Sequence, residues 1–87
     1  MSDFSNSASE KKLLLLAKKG EVFAVKNLMN LLLKPGHAMA WKILRSQADA
    51  EEVVQEAMLQ LWRSAEQFEG KSSLKTYFTK IVMRECH

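Results

Sequence analysis

Few side chains in this sequence could carry out covalent or metal chemistry. His37, His87 and Cys86 are the whole stock of soft metal ligands, and no CxxC or HxxxH spacing joins them. A cysteine nucleophile would require Cys86 to face one of the histidines beside an oxyanion hole, and no feature of the sequence indicates this. A glycine-rich phosphate loop is also missing. We therefore expect a protein that is not an enzyme and that holds no metal ion and no cofactor.

The most informative residues lie on a helix with an acidic surface. Asp49-Ala50-Glu51-Glu52 predicts an N-cap followed by an acid three residues later, which opens a helix to about Glu66. With about 100° between successive residues, one broad apolar stripe forms its core face. The members of this stripe are Val53, Val54, Ala57, Met58, Leu61 and Ala65.

Leu59 falls outside that stripe and lies within a polar surface. Its neighbours on this side of the helix are charged or amide side chains: Glu52, Gln55, Glu56 and Arg63. Trp62 lies between this polar face and the core face. An apolar spot in an acidic and amide surface is typical of a docking face for a partner helix that is basic around an apolar residue. The alternative is a lone exposed leucine, which is common on protein surfaces.

The last predicted helix has a basic surface. Ser72 or Ser73 should cap it, and it should run from Leu74 to the end with Phe78 and Ile81 on its apolar face. Cationic and hydroxyl side chains that suit phosphate and sugar oxygens are left outside: Lys75, Thr76, Thr79, Lys80 and Arg84. Phe68 and Tyr77 bracket the preceding loop, where they either stack on unpaired bases or belong to the core.

Helices are the only regular secondary structure that the sequence predicts. A first helix passes through Leu13–Leu16 and ends at Gly20. A second covers Glu21 to Leu33 with an apolar stripe of Val22, Val25, Met29 and Leu32, which is widened by Phe23, Leu28 and Leu31. Lys34-Pro35-Gly36 should interrupt it, so that a third helix runs from His37 to Arg45. We predict an all-α fold, a compact bundle of four to five helices without a sheet. Residues 1–8 should form a disordered tail, and residues 9–87 one domain.

Composition and charge restrict the function further. The 87 residues carry a formal charge of +3, which divides into +5 over residues 1–48, −5 over 49–70 and +3 over 71–87. These opposite blocks suggest two partners of different charge, although solvated helix faces would give the same numbers. The single cysteine fits a reducing compartment, and we expect no signal peptide and no membrane insertion.

The acidic helix and the segment after it resemble region 2 of the sigma-70 family. The run Asp49-Ala50-Glu51-Glu52-Val53-Val54-Gln55-Glu56-Ala57-Met58-Leu59-Gln60-Leu61-Trp62-Arg63 is similar to that of the extracytoplasmic-function (ECF) sigma factors. The similarity continues through Phe68-Glu69-Gly70-Lys71-Ser72-Ser73-Leu74-Lys75-Thr76-Tyr77-Phe78-Thr79-Lys80-Ile81 and extends weakly back to residue 13. The central run is far more specific than a generic acidic helix.

The resemblance implies a bacterial, cytoplasmic transcription initiation module. In the family, the acidic helix binds the coiled coil of the core RNA polymerase β′ subunit, which implies contacts by Glu52, Gln55, Glu56, Leu59, Trp62 and Arg63. The next loop and helix open the promoter −10 element and capture an exposed base of the single-stranded non-template strand. This implies DNA contacts by Phe68, Lys71, Ser72, Ser73, Lys75, Thr76, Tyr77, Thr79, Lys80 and Arg84.

Departures from the family pattern leave a second hypothesis open. Leu74 and Tyr77 stand where the family has phenylalanine and tryptophan, and Arg84 stands where asparagine is frequent. The family's second domain, region 4, which reads the −35 element, is not expected within these 87 residues. The alternative is a sigma-like protein-interaction regulator that binds polymerase or an anti-sigma factor without reading DNA. An anti-sigma factor is a further candidate partner under either hypothesis.

Overall fold

A computed structural model describes residues 7–87 of the chain. Four α-helices joined by short connections form this part, which contains no strand: α1 Ser7–Lys18, α2 Val22–Leu44, α3 Gln47–Arg63 and α4 Leu74–Glu85. A short 3-10 helix, Ala65–Gln67, follows α3. The predicted all-α bundle is confirmed. Of the disordered tail expected over residues 1–8, residues 1–6 lie outside the described part, and residues 7 and 8 belong to α1 instead.

The turn between α1 and α2 is built around Gly20, the residue that the sequence predicts as the end of the first helix. Gly20 has a φ of +94°, in the left-handed region that favours glycine. Its N–H donates to the carbonyl of Ala17, and the N–H of Glu21 donates to the carbonyl of Leu16. These two bonds form the Schellman motif, which satisfies carbonyls that a helix end leaves without partners.

α2 is one continuous helix, so the predicted break at Lys34-Pro35-Gly36 is wrong. Pro35 has no N–H for the carbonyl of Leu31, a loss that costs about 3 kcal/mol in a helix interior. The helix continues because tertiary packing stabilises both of its halves. Gly36 contributes by its small size, since a Cβ at this position would lie 2.7 Å from Cε2 of Phe78 on α4.

The buried stripe of α2 also differs from the predicted one. Val22, Phe23 and Met29 are exposed, although the predicted apolar stripe included all three. The residues that are buried recur every four positions: Ala24, Leu28, Leu32, Gly36 and Ala40. This stripe turns slowly around the helix axis, because four residues exceed one turn of 3.6. α2 thereby packs against α1, α3 and α4.

Serine side chains cap both helices that carry the candidate site. Oγ of Ser46 accepts a hydrogen bond from the N–H of Asp49 at 3.2 Å, so Ser46 rather than the predicted Asp49 is the N-cap of α3. Ser46 has the extended backbone that an N-cap needs, with φ −141° and ψ 122°. Oγ of Ser73 accepts from the N–H of Thr76 at 3.1 Å, which confirms a serine cap on α4.

One apolar core joins the four helices. The stripe predicted for α3 faces this core, with Val53 partly buried and its other members buried. α4 contributes Leu74, Phe78, Ile81 and Val82, all of which are buried. α3 packs against both α2 and α4, and the side of the helix opposite the core is left exposed or partly exposed.

Candidate functional site

The outer side of α3 carries an exposed leucine, as the helical spacing predicts. Leu59 is 46% exposed, and Gln55 and Glu52 beside it are also exposed. Trp62 is half-buried against the core, which agrees with its predicted place between the two faces. We call Glu52, Gln55, Glu56, Leu59, Trp62 and Arg63 the α3 face.

The charges on the α3 face are available to a partner. Nη1 of Arg63 lies 3.8 Å from Oε2 of Glu56, and the two side chains are 63% and 46% exposed to solvent. A pair with this separation and exposure contributes little to stability. The two charged groups can therefore exchange this contact for one across an interface.

The α3 face continues into a groove between α2 and α3. Met29, Leu33 and His37 form one wall of the groove, and Gln55, Met58 and Leu59 lie on the opposite wall around a volume of about 520 Å³. A neighbouring depression is lined by His37 and Trp41, with Trp41 48% exposed. The groove is thus mostly apolar, with charged and amide groups on the α3 side.

Sequence reasoning missed the α2 wall of this groove. Met29, Leu33, His37 and Trp41 are spaced by four residues, a signal that is visible only if α2 is read as one helix. The predicted break at Pro35 divided the set and placed His37 at a helix start. His37 instead lies in mid-helix, where its Nδ1 donates to the carbonyl of Leu33 at 3.0 Å.

Phe68 lies inside the core, which corrects its expected role as a base-stacking residue. Its side chain is only 1% exposed, and its ring centroid lies 5.0 Å from that of Tyr77 at an interplanar angle of 56°. A ring enclosed in this way presents no free face to a base. Phe68 instead packs against Tyr77 from the core, because tilted aromatic pairs at this distance attract each other.

Tyr77 is half-buried and has a defined hydrogen-bonding position. Its hydroxyl donates to Oγ of Ser64 at 3.2 Å, and Ser64 donates in turn to the carbonyl of Gln60 at 2.9 Å. The ring lines two adjoining hollows, one beside Gln60, Ser64 and Arg84 and the other within the loop after Phe68. Tyr77 is therefore the aromatic residue of this region that remains accessible to a ligand.

One cationic side chain lines each hollow, Arg84 the first and Lys71 the second. The four basic groups predicted to contact DNA are all exposed: Lys71, Lys75, Lys80 and Arg84. Lys71 is paired with Glu69 at 3.2 Å, a contact in which both side chains are mostly in solvent. The structure thus gathers Tyr77 and the four cations on one loop and one helix. We call this set, with Ser72, Ser73, Thr76 and Thr79, the loop–α4 surface.

The hydroxyls of this surface differ in availability. Ser73 accepts from the N–H of Thr76 and donates to Oγ1 of Thr76 at 3.0 Å, so both of its functions serve the helix cap. Thr79 donates to the carbonyl of Thr76 at 3.0 Å, and Ser72 donates to the carbonyl of Ser73 at 3.3 Å. The O–H groups of these three residues already donate within the chain, so a ligand would find an acceptor oxygen there more readily than a free O–H donor.

No metal centre forms within residues 7–87, where no group of three or more His, Cys, Asp or Glu side chains could hold an ion. Cys86 is half-buried, and burial, followed by the charge of Glu85, raises the pKa of its thiol above the usual value. Thiolate formation at Cys86 is thereby disfavoured. Across the same described residues, none of the helices combines the length and apolarity needed to span a membrane.

Residues 28–87 match the model of the family described as sigma-70 region 2. The matched segment is more than half of the chain and includes the α3 face and the loop–α4 surface. The chain belongs to the sigma-70 region 2 family, and the ECF-type resemblance inferred from the acidic run is confirmed.

Two curated relatives are named as ECF sigma factors. The chain is 41% identical over 49 residues to the ECF RNA polymerase sigma factor SigG of Mycobacterium tuberculosis, in strains CDC 1551 / Oshkosh and ATCC 25618 / H37Rv. The alignment covers 56% of this chain but only 13% of either relative. No solved structure matches the chain.

Proposed function

We propose that this chain is a transcription initiation module with two binding surfaces. The α3 face binds the β′ coiled coil of core RNA polymerase, and the loop–α4 surface binds the single-stranded non-template strand of the promoter −10 element. The exposure of Leu59 within the acidic surface of α3 is the observation that carries the proposal. Membership of the sigma-70 region 2 family supports the choice of polymerase and promoter DNA as the partners.

The chemistry of the α3 face fits a basic helical partner. Leu59 offers an apolar contact, and Gln55 can both donate and accept hydrogen bonds. Glu52 and Glu56 attract cations at the rim, where charge steers the encounter more than it adds affinity. The groove beside Met29 and Leu33 would extend the apolar contact beyond α3.

The chemistry of the loop–α4 surface fits a single strand of nucleic acid. The exposed lysines and Arg84 neutralise phosphates, and the accessible part of Tyr77 offers a ring on which a base can stack. Binding of this kind involves no covalent step. The unpairing of a promoter would be offset by base stacking and phosphate contacts made by the same surface.

Replacement of Leu59 and Gln55 tests the polymerase assignment. The variant Leu59→Ala with Gln55→Ala should capture core polymerase about tenfold more weakly in a titrated pull-down, because a central apolar contact is lost. Val22→Ala, which shortens an exposed apolar side chain at the start of α2, is the matched control and should bind as the unaltered chain does. Equal capture by both variants would remove the α3 face from the interface.

A second candidate function follows from the burial of Phe68. With only Tyr77 accessible at this loop, the chain could act as a sigma-like regulator that binds polymerase or an anti-sigma factor and reads no DNA. Fluorescence anisotropy with a labelled single-stranded −10 library at two salt concentrations separates the two functions. Sequence-selective binding that weakens with salt favours the initiation module, whereas its absence favours the regulator.

A further inference from the structure

Two consecutive residues of α1 hold both ends of the loop that precedes α4. Nζ of Lys11 donates to the carbonyl oxygen of Phe68 at 2.6 Å and to that of Glu66 at 2.8 Å, where the loop begins. Oε1 of Glu10 accepts from the backbone N–H of Leu74 at 2.8 Å, where the loop ends. We call Glu10 and Lys11 the α1 anchor.

Glu10 supplies a charge that α4 itself lacks. The first turn of α4 contains no acidic residue, although a helix N-terminus favours negative charge. Glu10 provides a carboxylate at that position from a different helix, and it is only 3% exposed. A hydrogen bond from a backbone N–H to a buried carboxylate is charge-assisted and holds its donor closely in place. The start of α4 is therefore fixed relative to α1.

Lys18 reinforces the other end of the loop. Its Nζ lies 2.8 Å from Oε1 and 3.0 Å from Oε2 of Glu66, the residue whose carbonyl also accepts from Lys11. The hydrogen bond from Lys18 is the main reason that the pKa of the Glu66 carboxyl lies below its usual value. Since Glu66 is exposed, this contact adds less than the α1 anchor does.

We propose that Glu10 and Lys11 are positioning residues that set residues 69–73 and the first turn of α4 for binding single-stranded DNA. The inference rests on the proposed function of the loop–α4 surface. It assigns this task to α1, which lies outside the matched residues 28–87. Neither residue of the anchor needs to touch the nucleic acid.

Charge and positioning predict opposite effects when Glu10 is replaced. Removal of a negative charge should strengthen DNA binding if only the overall electrostatic attraction changes. Loss of the anchor should weaken it, because the loop ends are released and must be ordered again when DNA binds. The sign of the change in affinity therefore separates the two explanations.

The test compares four variants of the full chain by anisotropy with a labelled single-stranded −10 library. Glu10→Ala should weaken DNA binding about tenfold or more, the effect of one lost hydrogen bond to a charged group. Lys11→Met should weaken it more than Lys12→Met does, because both remove one positive charge and only Lys11 contacts the loop. Glu10→Gln removes the charge and keeps an oxygen that can accept from the N–H of Leu74, so it separates the charge from the hydrogen bond. If Glu10→Ala fails to fold, the comparison of Lys11→Met with Lys12→Met decides the test.

Two further readouts separate positioning from general stability. Capture of core polymerase by the α3 face should stay unchanged in every anchor variant, whereas global unfolding would reduce it. Amide hydrogen exchange should quicken at Leu74 and over residues 69–73, and not within α2 or α3, when Glu10 or Lys11 is replaced.

The proposal is overturned if the folded Glu10→Ala variant binds DNA as tightly as the unaltered chain or more tightly. It is also overturned if Lys11→Met and Lys12→Met behave alike in both DNA binding and loop exchange. If the unaltered chain binds no single-stranded DNA, the proposed DNA function fails. Exchange at Leu74 then still decides whether the α1 anchor holds the loop.

Discussion

Two apolar side chains with opposite exposure define the candidate surfaces at the scale of single residues. Leu59 is 46% exposed among polar neighbours, on the surface that we propose binds polymerase. Phe68 is 1% exposed and supports Tyr77, so its contribution to the loop–α4 surface is structural.

Helical spacing predicted the position of Leu59 but not that of Phe68. The angle of about 100° per residue places Leu59 outside the stripe on α3, and this rule holds inside any regular helix. Phe68 follows the 3-10 helix in a segment with no such period. Its burial depends on how α3 and α4 meet, which is decided by packing over the whole domain.

Gly36 is a residue where a larger side chain should lower the stability of the fold. Gly36→Ala gains helix propensity, yet the new Cβ would lie 2.7 Å from the buried ring of Phe78. We expect a net destabilisation of about 1–2 kcal/mol in urea unfolding, because overpacking outweighs the gain in propensity. The combined variant with Phe78→Leu should show a smaller effect of Gly36→Ala than the wild-type background does. A more stable Gly36→Ala single variant would show that the two helices can separate at no cost.

At the scale of elements, the continuity of α2 changes what the molecule can bind. One helix from Val22 to Leu44 aligns Met29, Leu33, His37 and Trp41 along the groove beside α3. Two shorter helices could each turn away from α3 at Pro35. The extended apolar groove therefore exists because packing overrides the local preference of proline to end a helix.

Pro35 should cost the protein stability without being needed for the fold. Pro35→Ala restores an N–H for the carbonyl of Leu31 and should stabilise the chain by about 1–2 kcal/mol, after allowance for the greater entropy of the unfolded state. Urea unfolding followed by circular dichroism measures this difference. A destabilised variant would show instead that the half-buried pyrrolidine ring contributes packing that alanine cannot replace.

The helices themselves were largely predictable, and their exact limits were not. Local signals predicted α1, α3 and α4, because Gly20, the acidic first turn and the serines before Leu74 act within one or two turns. The predicted N-cap of α3 was Asp49, and the observed one is Ser46, three residues earlier. Both side chains offer an oxygen that can accept from a backbone N–H, so the sequence does not distinguish them. Contacts from α1 to the loop were not predictable, because Lys11 and Phe68 are 57 positions apart.

At the scale of the whole molecule, the charge blocks coincide with the two surfaces. The block of −5 over residues 49–70 contains the α3 face, and the block of +3 over residues 71–87 contains the cations of the loop–α4 surface. α3 lies between two grooves, one shared with α2 and the other with α4. A single small domain can thus present opposite charges to two partners at the same time.

The central claim is that these two surfaces bind different partners independently. The measurement that tests it most directly compares two double variants for capture of core polymerase and for binding of the single-stranded −10 library. We expect Leu59→Ala with Gln55→Ala to lower polymerase capture about tenfold and to leave DNA binding unchanged. Lys75→Ala with Lys80→Ala should do the reverse, with DNA binding lowered about tenfold at moderate salt. Loss of both activities in either variant, or of neither, would contradict the assignment of separate surfaces.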